Sequence, residues 1–161
     1  RADIGWTIGF ADEGYLLAGN ACRSAGRYDK AAEYYRKVLT ATQGSGRGKQ
    51  NSDRARASAE AMKLVQTLDR SRIPDGTYKG SSRGYKSTVE VEVAVKDKKL
   101  ASVKVTRQND TRFFSDVAQR DVPPRIVRRQ SIKGVDTVTG ATITSEAIIN
   151  ATVKALSSGM K

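Results

Sequence analysis

The chain has 161 residues, of which 38% are hydrophobic, and this size and apolar content allow two small cores rather than one large core. Cys22 is the only cysteine and histidine is absent, which excludes disulfides within the chain, a zinc site and a histidine-based catalytic triad. The net charge of +12 is spread over residues 1–70 (+4) and 71–161 (+8) without a nucleic-acid-binding motif, so we expect a solvated basic surface and no nucleic-acid partner.

The first seventy residues have the apolar spacing of helices. Gly19 and Ala31 are small enough for two helices to cross closely, and three tyrosines would fill the space between them: Tyr15, Tyr28 and Tyr35. This pattern resembles one tetratricopeptide repeat, which implies a helical hairpin that binds a peptide or a partner protein. A plain helical bundle with no ligand is the alternative.

A glycine-rich stretch interrupts this helical pattern. Residues 44–48 read Gly-Ser-Gly-Arg-Gly, which predicts a flexible loop. A third helix is expected from about Asp53 to Asp69, where apolar residues again follow helical spacing. We therefore predict an all-α, tetratricopeptide-like segment over residues 1–70 and a second unit over residues 71–161.

The second unit begins with strand patterns. Residues 89–95 alternate valine with glutamate or alanine, and residues 100–105 continue the alternation after a turn, which predicts an antiparallel hairpin with one buried face. Residues 76–85 predict one or two further strands. Three helices are expected to cover the buried face: 113–119, 124–130 and 145–156. The fold class is therefore α+β, with a small antiparallel sheet and covering helices.

Residues 136–145 read Asp-Thr-Val-Thr-Gly-Ala-Thr-Ile-Thr-Ser and lie directly before the last predicted helix. Thr144 or Ser145 is a natural N-cap for that helix, so Thr142 is expected just ahead of its N-terminus. Backbone N–H groups and the positive end of the helix dipole favour a phosphate at such a place. An ordinary capped turn is the alternative, because turns also favour small polar residues.

This segment resembles the flavin-attachment site of the FMN-binding domain family, in which a threonine carries FMN. The motif consists of Asp136, the core residues Thr139, Gly140, Ala141 and Thr142, and the pair Thr144 and Ser145. Further similarity to this family extends from about Pro74 to Leu156. The resemblance implies that Thr142 is the acceptor, and that a flavin transferase uses FAD and Mg²⁺ to join FMN to it as a phosphoester. Asp136 is assigned to transferase recognition or loop geometry.

A flat, largely apolar flavin ring needs aromatic or aliphatic walls. Tyr78 and Tyr85 are the candidates nearest to the expected cofactor, together with Phe113 and Phe114, although each also suits a core or turn position. Arg112 would favour an anionic reduced flavin electrostatically. We expect backbone amides between Gly140 and Glu146, rather than a cluster of basic side chains, to hold the phosphate.

The family includes the flavin subunits of bacterial sodium-pumping quinone reductases and related ferredoxin oxidoreductases. The resemblance therefore implies a periplasmic or otherwise extracytoplasmic electron carrier, whose partners are a flavin transferase and redox proteins, including membrane-bound ones. One alternative is an interaction module in which the helical repeat binds a partner and the flavin domain is unmodified. Another is a flavin-dependent reductase component, although no nicotinamide-binding fingerprint is present.

Two expectations concern the chain as a whole. No apolar run is long enough to cross a bilayer and the sequence from Arg1 has no signal-peptide pattern, so we expect a soluble chain, mature or trimmed. If the helical segment is a docking unit, a fragment starting near Ser71 is expected to stay soluble and to accept flavin.

Overall fold

The structure, a computed structural model, describes residues 2–42, 47–109 and 112–161, without the side chains of residues 2–10, 112 and 114. These ranges contain the following elements: α1 (Ala2–Ser24), α2 (Tyr28–Ala41), α3 (Gly48–Thr67), β1 (Gly76–Arg83), β2 (Thr88–Lys96), β3 (Lys99–Arg107), α4 (Arg112–Arg129) and α5 (Thr142–Gly159). An N-terminal helical segment precedes the sheet, which confirms the predicted α+β class. Residues 44–46 of the predicted glycine-rich loop lie outside the described ranges.

Helices α1 and α2 form the predicted hairpin and touch at Gly19. A Cβ atom placed on Gly19 would overlap the ring of Tyr35, which is itself only 1% exposed. The Tyr35 hydroxyl donates a hydrogen bond to Asn20 Oδ1 at 2.8 Å, which fixes the ring in place. The hairpin is therefore confirmed, whereas its identity as a tetratricopeptide repeat stays a prediction.

Two glycines of α1 should respond oppositely to the same substitution. Gly19→Ala should lower the free energy of unfolding by about 1–3 kcal/mol, because the added methyl group forces the buried Tyr35 ring to move. Gly14→Ala should raise it by about 0.5–1 kcal/mol, because no described atom beyond the local helix backbone and the two chain neighbours lies within 4 Å of the new Cβ, and alanine favours the helix. Denaturant unfolding of the two variants measures the difference. Shifts of the same sign would contradict the close α1–α2 crossing.

The sheet has the order β1-β2-β3 and both strand pairs are antiparallel. Val93 pairs with Tyr78 on one side and Val103 on the other, and the alternate valines of β2 are buried. Residues 97 and 98 turn the chain with positive φ angles of 51° and 58°. The amides of the same two residues donate to the Asp75 carboxylate, which lowers the pKa of that carboxyl group. The predicted hairpin is thus confirmed, and residues 76–83 supply one further strand.

Helix α4 continues through Pro123 and Pro124, so the prediction of two separate helices over 113–119 and 124–130 was wrong. Proline has no backbone N–H and usually kinks or ends a helix. Here one face stays packed across the prolines, because Ala118, Val122 and Ile126 are fully buried. The continuous apolar face keeps α4 on β3 as one element.

Helix α5 is the central element, with thirteen of its eighteen residues buried. On one side a Cβ atom on Gly80 of β1 would overlap the Ala151 carbonyl oxygen, so strand and helix touch backbone to backbone. On the other side Asn150 Nδ2 donates to Ser58 Oγ of α3 at 3.0 Å. The buried apolar residues of both halves form one cluster rather than the two small cores expected from the sequence. Within the described ranges, none of the helices is long and apolar enough to span a membrane.

Candidate functional site

The N-terminus of α5 is built differently from the sequence prediction. The helix begins at Thr142 with Ala141 as its N-cap residue, so Thr144 and Ser145 lie inside the first turn and the prediction of either as the cap was wrong. The physical reason is the position of Ser145. Its hydroxyl donates to the Ala141 carbonyl at 2.8 Å and accepts from the Val138 amide at 3.1 Å, which ties the preceding turn to the helix.

The turn before α5 exposes the helix end. Gly140 has a φ of 79°, which favours glycine, and the Ala141 amide donates to the Val138 carbonyl at 2.9 Å. The Ser145 amide donates to the Ala141 carbonyl at 2.9 Å and forms the first helical hydrogen bond. The amides of Thr142 and Ile143 precede that bond, at the positive end of the helix dipole.

A cavity of about 470 Å³ opens over this helix end, between α5 and the helical segment. Its volume lies within the range of about 300–1,000 Å³ that is typical of small-molecule sites. Its lining combines aliphatic side chains with a few polar and charged groups: Glu13, Leu16, Leu17, Asn20, Arg47, Arg54, Tyr85, Gly140, Ala141, Thr142, Ile143 and Thr144.

Five of the predicted site residues line this cavity, namely Tyr85, Gly140, Ala141, Thr142 and Thr144. Thr142 is half-buried, and in the part of the chain that the structure describes its hydroxyl makes no hydrogen bond. A threonine hydroxyl at a helix N-terminus thus lies in a cavity large enough for a small molecule.

Among the described side chains, four predicted site residues do not line the cavity: Tyr78, Asp136, Thr139 and Ser145. Tyr78 packs against Gly159 at the far end of α5, about 25 Å along the helix from Thr142. Asp136 and Thr139 are exposed, and the Asp136 carboxylate accepts a hydrogen bond from Ser24 Oγ at 2.5 Å. Ser145 is buried beneath the turn. The side chain of Arg112 lies outside the described residues.

Half of the cavity wall comes from the helical segment, which the sequence did not predict. One of these lining residues is Arg54 on α3, whose guanidinium group donates to the Glu146 carboxylate at 3.0 Å from Nε and 2.8 Å from Nη2. Asn20 Nδ2 of α1 donates to the same carboxylate at 2.7 Å. Glu146 lies about one helical turn after Thr142, the first residue of α5. These contacts therefore fix the helix end that forms the site.

The polar contacts continue away from Glu146 through the helical segment. Arg54 Nη1 donates to Asn51 Oδ1 at 3.1 Å, and Asn51 Nδ2 donates to Asp12 Oδ2 at 2.8 Å. Burial works against the charge of Arg54, but the charge and hydrogen bonds of Glu146 outweigh it and raise the pKa of the guanidinium group. Arg54 is therefore a fixed cation beside the cavity.

The residues of the cavity fit FMN. The N-terminus of α5 and the two arginines favour a phosphate, the Thr142 hydroxyl lies beside them, and aliphatic side chains suit a flavin ring. Arg47 and Arg54 also line the cavity, from distant positions in the sequence, whereas the expectation that backbone amides hold the phosphate stays a prediction. Among the described residues, no cluster of Cys, Asp and Glu is arranged to hold a metal ion.

Comparison with known proteins agrees with this fit. An uncharacterized protein of Treponema pallidum (strain Nichols) is 34% identical over 84 residues, which are 52% of this chain and 23% of that protein. The chain therefore spans less than a quarter of the relative that it matches. Residues 84–157 match the model of the FMN-binding domain family, and this segment contains Tyr85, the turn before α5 and the first turns of α5. The match supports FMN as the cofactor of this part of the chain.

Proposed function

We propose that the protein carries FMN on Thr142 as a phosphoester and passes electrons between redox partners. The observation that supports this most strongly is the position of Thr142, which is the first residue of α5 and faces a cavity that fits the cofactor. Bound FMN supplies the capacity to accept and release electrons. The protein is then an electron carrier or a subunit of an oxidoreductase rather than a self-contained enzyme.

Attachment requires a flavin transferase with FAD and Mg²⁺. The Thr142 oxygen bonds to the phosphorus on the FMN side of FAD, the pyrophosphate bond breaks, AMP leaves and the hydroxyl proton is released. The chain assists by presenting the hydroxyl at the positive end of α5, with Arg54 nearby as a cation for the phosphate. A covalent bond keeps the cofactor where exchange with free flavin would otherwise remove it.

The resemblance to extracytoplasmic flavoproteins supports a periplasmic location and redox partners in membrane-bound complexes. The basic surface supports an acidic partner, because a net charge of +12 attracts negative proteins over long distances. Raising the salt concentration should therefore slow electron exchange with such a partner, since the attraction between exposed charges is screened.

A redox cycle tests this function. The chain is produced together with an active flavin transferase, reduced anaerobically and mixed with an electron acceptor such as ferricyanide. We expect flavin absorption that survives denaturation of the protein, bleaches on reduction and returns with the acceptor. A colourless product, obtained while the transferase modifies another substrate, would favour an unmodified interaction module. Catalytic oxidation of a nicotinamide without a further protein would favour the reductase alternative.

A further inference from the structure

We infer that the helical segment is part of the cofactor site, and that the flavin ring lies against one face of α1. The inference rests on the proposed function, because it concerns the position of the FMN attached to Thr142. It assigns to residues 1–70 a direct role in binding the cofactor, in addition to any role in docking a partner.

The first support is the spacing of the α1 residues in the cavity wall. Glu13, Leu16, Leu17 and Asn20 are related as i, i+3, i+4 and i+7, so they form one continuous face of the helix. Two leucines occupy the middle of this face and a polar residue lies at each end. A flat apolar ring with polar edges matches this order of side chains.

The second support is an apolar surface that the described part of the chain leaves partly exposed to solvent. Leu17 is 66% exposed although it lines the cavity, and Tyr85 across the opening is 45% exposed. Leu16 beside it is only 2% exposed and anchors the same face to the core. A flavin ring between α1 and the β1–β2 loop would cover both exposed side chains and remove their apolar area from water.

The third support is the rigid attachment of α1 to the start of α5. Asn20 donates to Glu146 at 2.7 Å, and Arg23 Nη1 donates to the Val135 carbonyl at 2.7 Å. Both donors are buried, so α1 is held beside Thr142 by interactions shielded from water. A group tethered to Thr142 therefore meets α1 as the opposite wall of the same cavity.

Charge substitutions at Leu17 test this position. On the covalently loaded chain of residues 1–161, Leu17→Glu should lower the reduction potential of the flavin and Leu17→Lys should raise it, because a charge beside the ring disfavours or favours the anionic reduced form. Leu39, an exposed leucine of α2 outside the cavity lining, provides the matched controls. Leu39→Glu and Leu39→Lys should leave the potential at the wild-type value, since solvent screens distant charges.

The outcomes separate this inference from the proposed function. If the wild-type protein takes up no flavin beside an active transferase, the proposed function fails and this inference fails with it. If the wild-type protein is loaded but both Leu17 variants keep its reduction potential, the inference alone is overturned. Circular dichroism of the loaded variants establishes that the fold is retained, as expected for a side chain that is 66% exposed.

Discussion

Arg54→Met should lower the free energy of unfolding by about 3–5 kcal/mol, because it leaves the Glu146 carboxylate buried without its cation. The two side chains are 12% and 5% exposed, and three hydrogen bonds converge on the carboxylate. The double variant Arg54→Met/Glu146→Leu should recover much of this loss, because it removes the buried charge together with its partner. A double-mutant cycle in denaturant measures both effects.

Lys49 provides the control within the same helix. It pairs with Asp53 at 3.0 Å, but its side chain is 90% exposed, so Lys49→Met should cost less than about 1 kcal/mol. The contrast between Arg54 and Lys49, both on α3, thus isolates the effect of burial. An Arg54→Met loss no larger than the Lys49→Met loss would show that the ion pair does not hold α5 to the helical segment.

Removal of residues 1–70 should unfold or aggregate the remaining chain and abolish flavin uptake. The structure changes the expected result here, because the sequence alone predicted a soluble, flavin-accepting fragment. Glu146 and Asn150 on the α3-facing side of α5 are buried, and truncation would expose them together with the surrounding apolar core. Circular dichroism and size-exclusion chromatography of residues 71–161 measure the fold, and flavin absorption after production with the transferase measures uptake.

Supplying residues 1–70 as a separate chain is the matched rescue experiment. It should restore solubility and flavin content, because the missing wall and the missing core contacts return together. A monomeric, folded fragment that takes up flavin as well as the full chain would contradict this prediction. It would support instead the division into independent units at residue 70.

Local patterns predicted local structure well. The alternating valines of β2 and the turn after it follow from period-two burial and turn chemistry, and the Gly19–Tyr35 contact follows from one small and one large residue at a helix crossing. The motif around Thr142 also placed this residue at a helix end. The helix itself was predicted too short at both ends, over 145–156 instead of Thr142–Gly159, and the Ser145 hydroxyl bonds back to the turn instead of capping the helix.

Contacts between distant residues could not be predicted from one sequence. Arg54 and Glu146 are 92 positions apart, and either residue alone looks like an ordinary charged position on a helix. Tyr78 lies in the same half of the sequence as the Thr142 motif but is distant from it in space. Strand β1 runs along α5 and carries this ring to the opposite end of the helix. The sequence did hold a signal for the cavity wall that α1 contributes. The helical spacing of four residues marks one face of this helix, although it does not identify what that face contacts: Glu13, Leu16, Leu17 and Asn20.

The intact mass of the chain, produced with an active flavin transferase and FAD, tests the attachment of FMN most directly. We expect the wild-type protein to gain the mass of FMN less one water, with fragment ions that place the added mass on Thr142 rather than on Thr139 or Thr144. Thr142→Ala should keep its unmodified mass. An unmodified wild-type protein beside a transferase that modifies another substrate, or an added mass on a different residue, would contradict Thr142 as the flavin acceptor.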